Sequence, residues 1–115
     1  MRKDDSVRLF HMLEAAREAL LFAENKTRAA LNTDRKLVLA LVKDIEIIGE
    51  AAANVTSERR GELPKIPWNK IIGMRNRLIH AYFDIDLDVL WKTITEDIPP
   101  LISSLEQIVL PDAEA

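Results

Sequence analysis

The chain has 115 residues, of which 16 are lysine or arginine, 19 are aspartate or glutamate, and none is cysteine. This length fits one domain whose core forms without a metal or disulfide, and the missing cysteines exclude a disulfide framework and any thiolate metal site. The net charge of −3 argues against binding nucleic acid through a broad basic surface. Binding to RNA would therefore require locally concentrated positive charge or a partner. No apolar run is long enough to span a membrane, and the composition fits a reducing cytoplasm.

The amino-terminal part of the sequence predicts an amphipathic helix that Asp5 or Ser6 caps. Its apolar residues alternate at spacings of four and three, as on one buried helical face. They are Leu9, Leu13, Ala16, Leu20 and Ala23. His11 lies off this face and is interpreted as a surface residue without a role. The less regular stretch 25–33 predicts a bend or a short helical turn.

A second helix is expected from about residue 35 to 55, with Thr33 or Asp34 as its cap. Its apolar face is wider than one stripe, which predicts contacts on two sides, with its own domain and with a second copy of the chain. Gly49 costs about 1 kcal/mol relative to alanine within a helix. We therefore expect a packing reason for this glycine, namely the close approach of another helix.

The segment 57–67 predicts a loop, because two prolines and a glycine in so short a stretch stop any helix. Pro67 suits the first position of a third helix, where its missing N–H is not needed. Trp68 is expected to anchor this helix in the core, and the helix is expected to continue to Tyr82 or Phe83.

The carboxyl-terminal part predicts a turn at 84–86 and a fourth helix that Asp86 caps. Pro99 and Pro100 interrupt its apolar stripe, which predicts a bent helix or two consecutive segments. Residues from about 110 to 115 are expected to be a disordered end. Together the periodicities predict an all-α fold over residues 1–115, an antiparallel four-helix bundle with a kinked or split last helix.

Polar groups able to do chemistry interrupt the apolar pattern of the third helix. They are Arg75, Asn76, Arg77, His80 and Tyr82. On a straight helix Arg75 and His80 would lie about 140° apart. Both can reach one small target only if the helix ends near His80 or if a second copy of the motif completes the site, and the second alternative predicts a two-fold homodimer. Asn76 and His80 would share a face. In the last turn, the helix dipole would favour protonated histidine by up to about 1 kcal/mol.

An arginine beside a histidine can cleave a phosphodiester without a metal. Histidine exchanges protons near neutral pH, and arginine stabilises the charge on the phosphate in the transition state. So short a pattern also arises by accident, with His80 hydrogen-bonded at a helix end and Arg75 paired with a carboxylate. Glu46 and Glu50 offer a metal site with His80 as a further alternative. No third carboxylate is placed to complete it, which favours ion pairs with the arginines or a solvated face.

The run 73–84 resembles the Arg-x-x-x-x-His-x-Tyr signature of HepT-type toxins, small all-helical members of the HEPN ribonuclease superfamily. Arg75, His80 and Tyr82 match its three named positions, and Asn76 matches the polar residue usual after the arginine. The runs 47–52 and 86–91 are similar to the family's second helix and downstream continuation. The resemblance therefore extends over roughly residues 9–108.

The resemblance implies an endoribonuclease toxin of a type VII toxin–antitoxin system, acting on RNA without a metal at a dimer cleft. Arg75 would stabilise the scissile phosphate, His80 would be the general acid and base, and Asn76 would orient one of them. Arg77 would add positive charge for binding the substrate. No cofactor is expected.

The resemblance also implies a partner, a small nucleotidyltransferase antitoxin of the MntA type that transfers AMP to Tyr82. Attached AMP would add negative charge and bulk where RNA must enter. The alternative is a non-catalytic module that binds a nucleotide or holds a nucleotidyltransferase, which the net acidity slightly favours.

Overall fold

The computed structural model describes residues 3–81 and 84–114, with side chains for 4–79 and 84–109. Its helices are α1 (Lys3–Ala23), α2 (Ala30–Thr33), α3 (Arg35–Ala53), α4 (Ser57–Glu62), α5 (Trp68–Ile72), α6 (Met74–Leu78), α7 (Leu87–Lys92) and α8 (Ile98–Glu114). A π-helical turn, Thr93–Asp97, joins α7 to α8, and a short strand β1 (Ile79–Ala81) pairs with β2 (Asp84–Ile85). The architecture is the predicted all-α bundle.

Helices α1 and α3 pack against each other along their lengths and form the centre of the bundle. Their inward faces supply much of the core, with Leu9, Met12, Leu13, Leu41, Ile45 and Ile48 fully buried. Burying each such side chain contributes about 1.5–3 kcal/mol relative to leaving it in water. Helix α8 covers another side of α1, and α5 and α6 pack on α3.

The predicted bend and cap before α3 are confirmed. Asn25 has a positive φ of 62°, and the four-residue helix α2 follows it. The side chain of Asp34 accepts a hydrogen bond from the Leu37 N–H at 3.0 Å, which satisfies one of the donors left free at a helix start.

The wide apolar face of α3 is covered largely by the chain itself. Val38 and Val42 are buried among neighbouring helices of the same chain, and Ile47 is half-buried. The width of this face therefore gives no argument for a second copy. The packing reason expected for Gly49 is confirmed, because a β-carbon there would lie only 3.4 Å from the carbonyl oxygen of Ile72 at the end of α5.

The start of α1 differs from the prediction. Asp5 lies within the helix rather than at its cap, and only 2% of its surface is exposed. Its carboxylate accepts hydrogen bonds from the Thr56 N–H at 2.9 Å and from the Thr56 hydroxyl at 2.8 Å. Thr56 in turn caps α4 by accepting from the Arg59 N–H. The predicted loop 57–67 thus begins with a short helix, because a capping threonine and a buried aspartate support its first turn.

Pro67 precedes α5 as its cap, one position before the expected place, and Trp68 begins the helix. Trp68 is half-buried against the core, as expected, and its indole N–H donates to the Leu63 carbonyl at 3.1 Å.

The last helix is split, as predicted. Pro99 and Pro100 lack N–H groups, and in a regular α-helix their rings would clash with the carbonyls four residues earlier. The wider π turn Thr93–Asp97 lies just before them, and the Ile98 N–H bonds to the Thr93 carbonyl five residues earlier. The axis then continues as α8, which passes through Pro111 to Glu114, where the sequence predicted a disordered end.

Candidate active site

Helix α6 holds three consecutive polar residues of the motif at the surface. Met74 and Leu78, four residues apart, are fully buried and fix the helix on the core. The residues between them, Arg75, Asn76 and Arg77, are therefore turned outward, and all three are exposed. The apolar pattern thus presents the predicted arginines and asparagine to solvent.

The helix ends at Leu78, and the chain turns into a strand. The Ile79 N–H still bonds to the Arg75 carbonyl, and then β1 pairs antiparallel with β2, with Ile79 opposite Ile85 and Ala81 opposite Asp84. The Asp86 N–H bonds to the Leu78 carbonyl at 2.7 Å and closes this hairpin against α6. The predicted turn at 84–86 is therefore partly strand, while the predicted cap is confirmed, since Asp86 accepts from the Val89 N–H at 3.1 Å.

The prediction of one helix from Pro67 to Tyr82 or Phe83 is wrong. The segment is broken at Gly73 into two five-residue helices, and His80 lies in β1 and not in a last helical turn. His80 therefore does not lie in the last turn of a helix, where the helix dipole would favour its protonated form. It also does not share a helical face with Asn76. Two alternatives were open for bringing Arg75 and His80 to one target, a helix that ends near His80 or a second copy of the motif. The structure has the first, since α6 ends before His80. The His80 side chain and all of Tyr82 lie outside the described parts.

Arg75 forms an ion pair with α3. Its Nε lies 3.5 Å from Oε1 of Glu46, and the two side chains are 52% and 37% exposed. So exposed a pair contributes at most about 1 kcal/mol. Glu46 therefore keeps Arg75 near the surface of α3 without binding it tightly.

Arg77 lies beside Arg75 and has an exposed guanidinium group that folds back toward Gly73, 3.6 Å from where a β-carbon would be. Among the residues with described side chains, Arg77 forms no ion pair. In the same part of the chain, no group of three or more histidine, aspartate or glutamate side chains lies close enough together to hold a metal ion. The alternative metal site at Glu46 and Glu50 also involved His80, whose side chain is not described.

A second group of ionisable residues lies on the opposite side of α3, and the sequence analysis missed it. Asp44 is 99% buried, with a relative exposure of 1%. Burial, a hydrogen bond with the Glu18 carboxyl and the charge of that carboxyl raise the pKa of Asp44 to about 7. The signal was in the sequence. Leu37, Leu41, Asp44 and Ile48 follow at helical spacings of four, three and four, so that an aspartate occupies a core position of α3.

No helix in the described ranges 3–81 and 84–114 is both long enough and apolar enough to cross a membrane.

Comparison with known proteins places the chain. The family described as "Ribonuclease HepT-like" matches residues 12–108. The chain is 41% identical over 100 residues to the probable ribonuclease HepT of Thermococcus cleftensis, an alignment that covers 84% of this chain and 91% of that protein. It is 32% identical over 105 residues to a protein of Methanocaldococcus jannaschii whose name marks it as a candidate RNase, covering 91% of this chain and 96% of the relative. No solved structure gives a significant match. The match over residues 12–108 includes α6, β1 and the whole Arg-x-x-x-x-His segment, and the chain belongs to the HepT-like ribonuclease family.

Proposed function

We propose that the chain is the ribonuclease toxin of a type VII toxin–antitoxin pair and cleaves RNA without a metal through Arg75 and His80. The observation that carries the proposal is the junction of α6 and β1 in a chain of this family. It turns the backbone between an exposed arginine and the motif histidine, so that the 140° separation of a straight helix no longer applies.

The chemistry assigns a role to each residue. The 2′-hydroxyl oxygen attacks the phosphorus, the bond to the 5′-oxygen breaks, and one proton leaves the first oxygen while one reaches the second. His80 moves these protons. Arg75 leaves Glu46 and stabilises the extra negative charge on the phosphate in the transition state. Asn76 orients the phosphate or the histidine, and Arg77 binds a neighbouring phosphate.

A homodimer is part of the proposal. The reaction needs one group to accept a proton and another to donate one, and each chain has a single histidine in the motif. A two-fold related copy would bring a second histidine and a second pair of arginines into one cleft. The doubled positive charge would also explain how a chain with a net charge of −3 holds RNA.

Neutralisation by a nucleotidyltransferase antitoxin of the MntA type completes the proposal. Tyr82 follows His80 by two residues, so an AMP group on its hydroxyl would bring a negative phosphate next to the catalytic histidine. That charge would repel RNA and would compete for Arg75.

The test is RNA cleavage by the purified chain in the presence of EDTA, with His80→Ala as the variant and Lys36→Ala, an exposed residue of α3, as the matched control. Cleavage that survives EDTA, persists in Lys36→Ala and falls by about 100-fold or more in His80→Ala is expected. Mass spectrometry of the same samples shows whether Tyr82 carries AMP.

The alternative function, a non-catalytic module that binds a nucleotide or a nucleotidyltransferase, is favoured by the acidic net charge. It predicts an unmodified Tyr82, no cleavage by any of the samples, and nucleotide binding that Arg75→Ala weakens. That combination of results would overturn the nuclease assignment.

A further inference from the structure

A cleft of about 230 Å³ opens between α1 and α3, and it shares no lining residue with the Arg75–Glu46 pair. We call it the Asp44 cleft. It is lined by His11, Glu14, Ala15, Glu18, Asp44 and Ile47. Three of the six residues are acidic, and the proposed cleavage reaction uses none of these three.

Asp44 is the unusual member of this cleft. Its Oδ2 atom is buried and has no hydrogen-bond partner within the described part of the chain. Buried carboxylate oxygens in folded proteins are nearly always hydrogen-bonded, because an unpaired one forfeits its hydration. The Asp44 carboxyl group is hydrogen-bonded with the carboxyl group of Glu18, and two carboxyl groups can bond to each other only while one of them carries a proton.

We propose that the Asp44 cleft is a binding site for a small organic cation whose guanidinium or primary ammonium group takes the place of the proton between Asp44 and Glu18. The cation donates N–H bonds to both carboxylates, and the displaced proton leaves to solvent. Charge-assisted bonds of this kind are the strongest hydrogen bonds that a carboxylate forms.

The lining favours an organic cation over a metal ion. Where side chains are described, no three histidine, aspartate or glutamate side chains are close enough together to coordinate a metal. A guanidinium group needs only two carboxylates, which it bridges with its fork of N–H donors. Ala15 and Ile47 give the same cleft an apolar wall against which a short methylene chain can lie.

Agmatine, which has a guanidinium group and a primary amine on a short chain, is the probe for the test. Its binding to the full chain is measured by isothermal titration calorimetry from pH 5 to 8, in pairs of buffers with different ionisation enthalpies. Affinity is expected to rise about tenfold between pH 5 and 6 and to level off above about pH 7, because the proton on Asp44 competes with the cation. About one proton should be released per agmatine bound at pH 5, and none at pH 8.

Variants assign the effect to Asp44. Asp44→Asn keeps the size of the side chain and imitates its protonated form, so the fold is retained. It should weaken agmatine binding at pH 8 by at least about tenfold and remove the pH dependence. Glu24→Gln removes a carboxylate from the residue that follows α1, outside the cleft, and should bind agmatine as the wild type does.

His11 also lines the cleft, but it is not one of the two carboxyl groups that the cation would bridge. His11→Gln should therefore keep most of the pH dependence and of the proton release. Loss of both in His11→Gln, or equal agmatine binding by the wild type and Asp44→Asn, would overturn the proposal. Binding of acetyl-arginine amide without binding of agmatine would also overturn the proposal, because the cleft would then receive an arginine from another polypeptide and not a free cation.

Discussion

The two sides of α3 place a carboxylate in opposite surroundings. Toward α1, Asp44 is buried and faces the carboxyl group of Glu18, and its pKa is raised to about 7. Toward α6, Glu46 is more than one-third exposed and faces the guanidinium group of Arg75 at 3.5 Å. The side chains of residues two apart on a helix point about 200° away from each other around the axis, so the two carboxylates belong to different interfaces. The neighbouring helix and the access of water, and not the residue type, decide what each carboxylate does.

The largest expected effect concerns the α6 side. Arg75→Ala should lower kcat for RNA cleavage by about 100-fold or more, because it removes a positive charge from the transition state. Its effect on the free energy of unfolding should stay below about 1 kcal/mol, because the pair with Glu46 is exposed. Steady-state cleavage kinetics and urea unfolding measure the two quantities separately.

Arg77→Ala is the matched control for this prediction, since Arg77 is the other exposed arginine of α6. It should raise KM with little change in kcat, as expected for a residue that binds substrate and transition state alike. If Arg77→Ala lowered kcat as much as Arg75→Ala does, the motif would have no preferred arginine, and the assignment of Arg75 would be wrong.

The second effect concerns the α1 side and depends on pH. The pKa of Asp44 is raised from the ordinary 3.8 to about 7 in the folded chain, so the folded state holds the proton more tightly than the unfolded state. Stability from this group is therefore fully present below about pH 4 and is lost as the pH rises toward 7. Between pH 5 and pH 8 the wild type should lose on the order of 2 to 3 kcal/mol of its free energy of unfolding, about 1.4 kcal/mol for each pH unit below the pKa of Asp44. Asp44→Asn should remove this loss, which urea unfolding at pH 5 and pH 8 measures.

The control is Glu46→Gln, a carboxylate removed from the other side of the same helix. It should leave the pH dependence between 5 and 8 as in the wild type, because the substitution changes the contact with Arg75 and leaves Asp44 and Glu18 unchanged. A wild-type chain that is equally stable at pH 5 and pH 8 would show that Asp44 is not protonated in the fold.

The sequence predicted the regular parts of the molecule well. Helices α1 and α3 have long apolar stripes with a period near 3.6, and the stripes gave both helices to within a few residues. Pro99 and Pro100 predicted the break in the last helix for a local reason, because proline has no N–H group to donate. Where many residues repeat one pattern, or one residue forbids a conformation, the sequence is enough.

The site was harder to predict, because short segments there depend on contacts from elsewhere. An apolar pattern around Met74 and Leu78 continues as far as Phe83 and indicates one helix, yet pairing of Ile79 with Ile85 ends it at Leu78. Asp5 looked like a cap, but its partner Thr56 is 51 residues away in sequence. The exposure of Arg75 was predictable from its apolar neighbours, whereas its pairing with Glu46 was only one of several options.

The smallest effect is expected from Glu46→Gln, and it tests whether Glu46 competes with RNA for Arg75. The free energy of unfolding should change by less than about 1 kcal/mol, and the difference from wild type should shrink further as salt is added, because water and ions screen an exposed pair. Without Glu46, Arg75 no longer has to leave a carboxylate before it meets a phosphate. KM for RNA should therefore fall about twofold at low salt, a few tenths of a kcal/mol, with kcat unchanged. A rise in KM would mean instead that Glu46 holds Arg75 in the orientation that RNA needs. The carboxylate on the α6 side of α3 would then position an arginine for the substrate, whereas the carboxylate on the α1 side is buried.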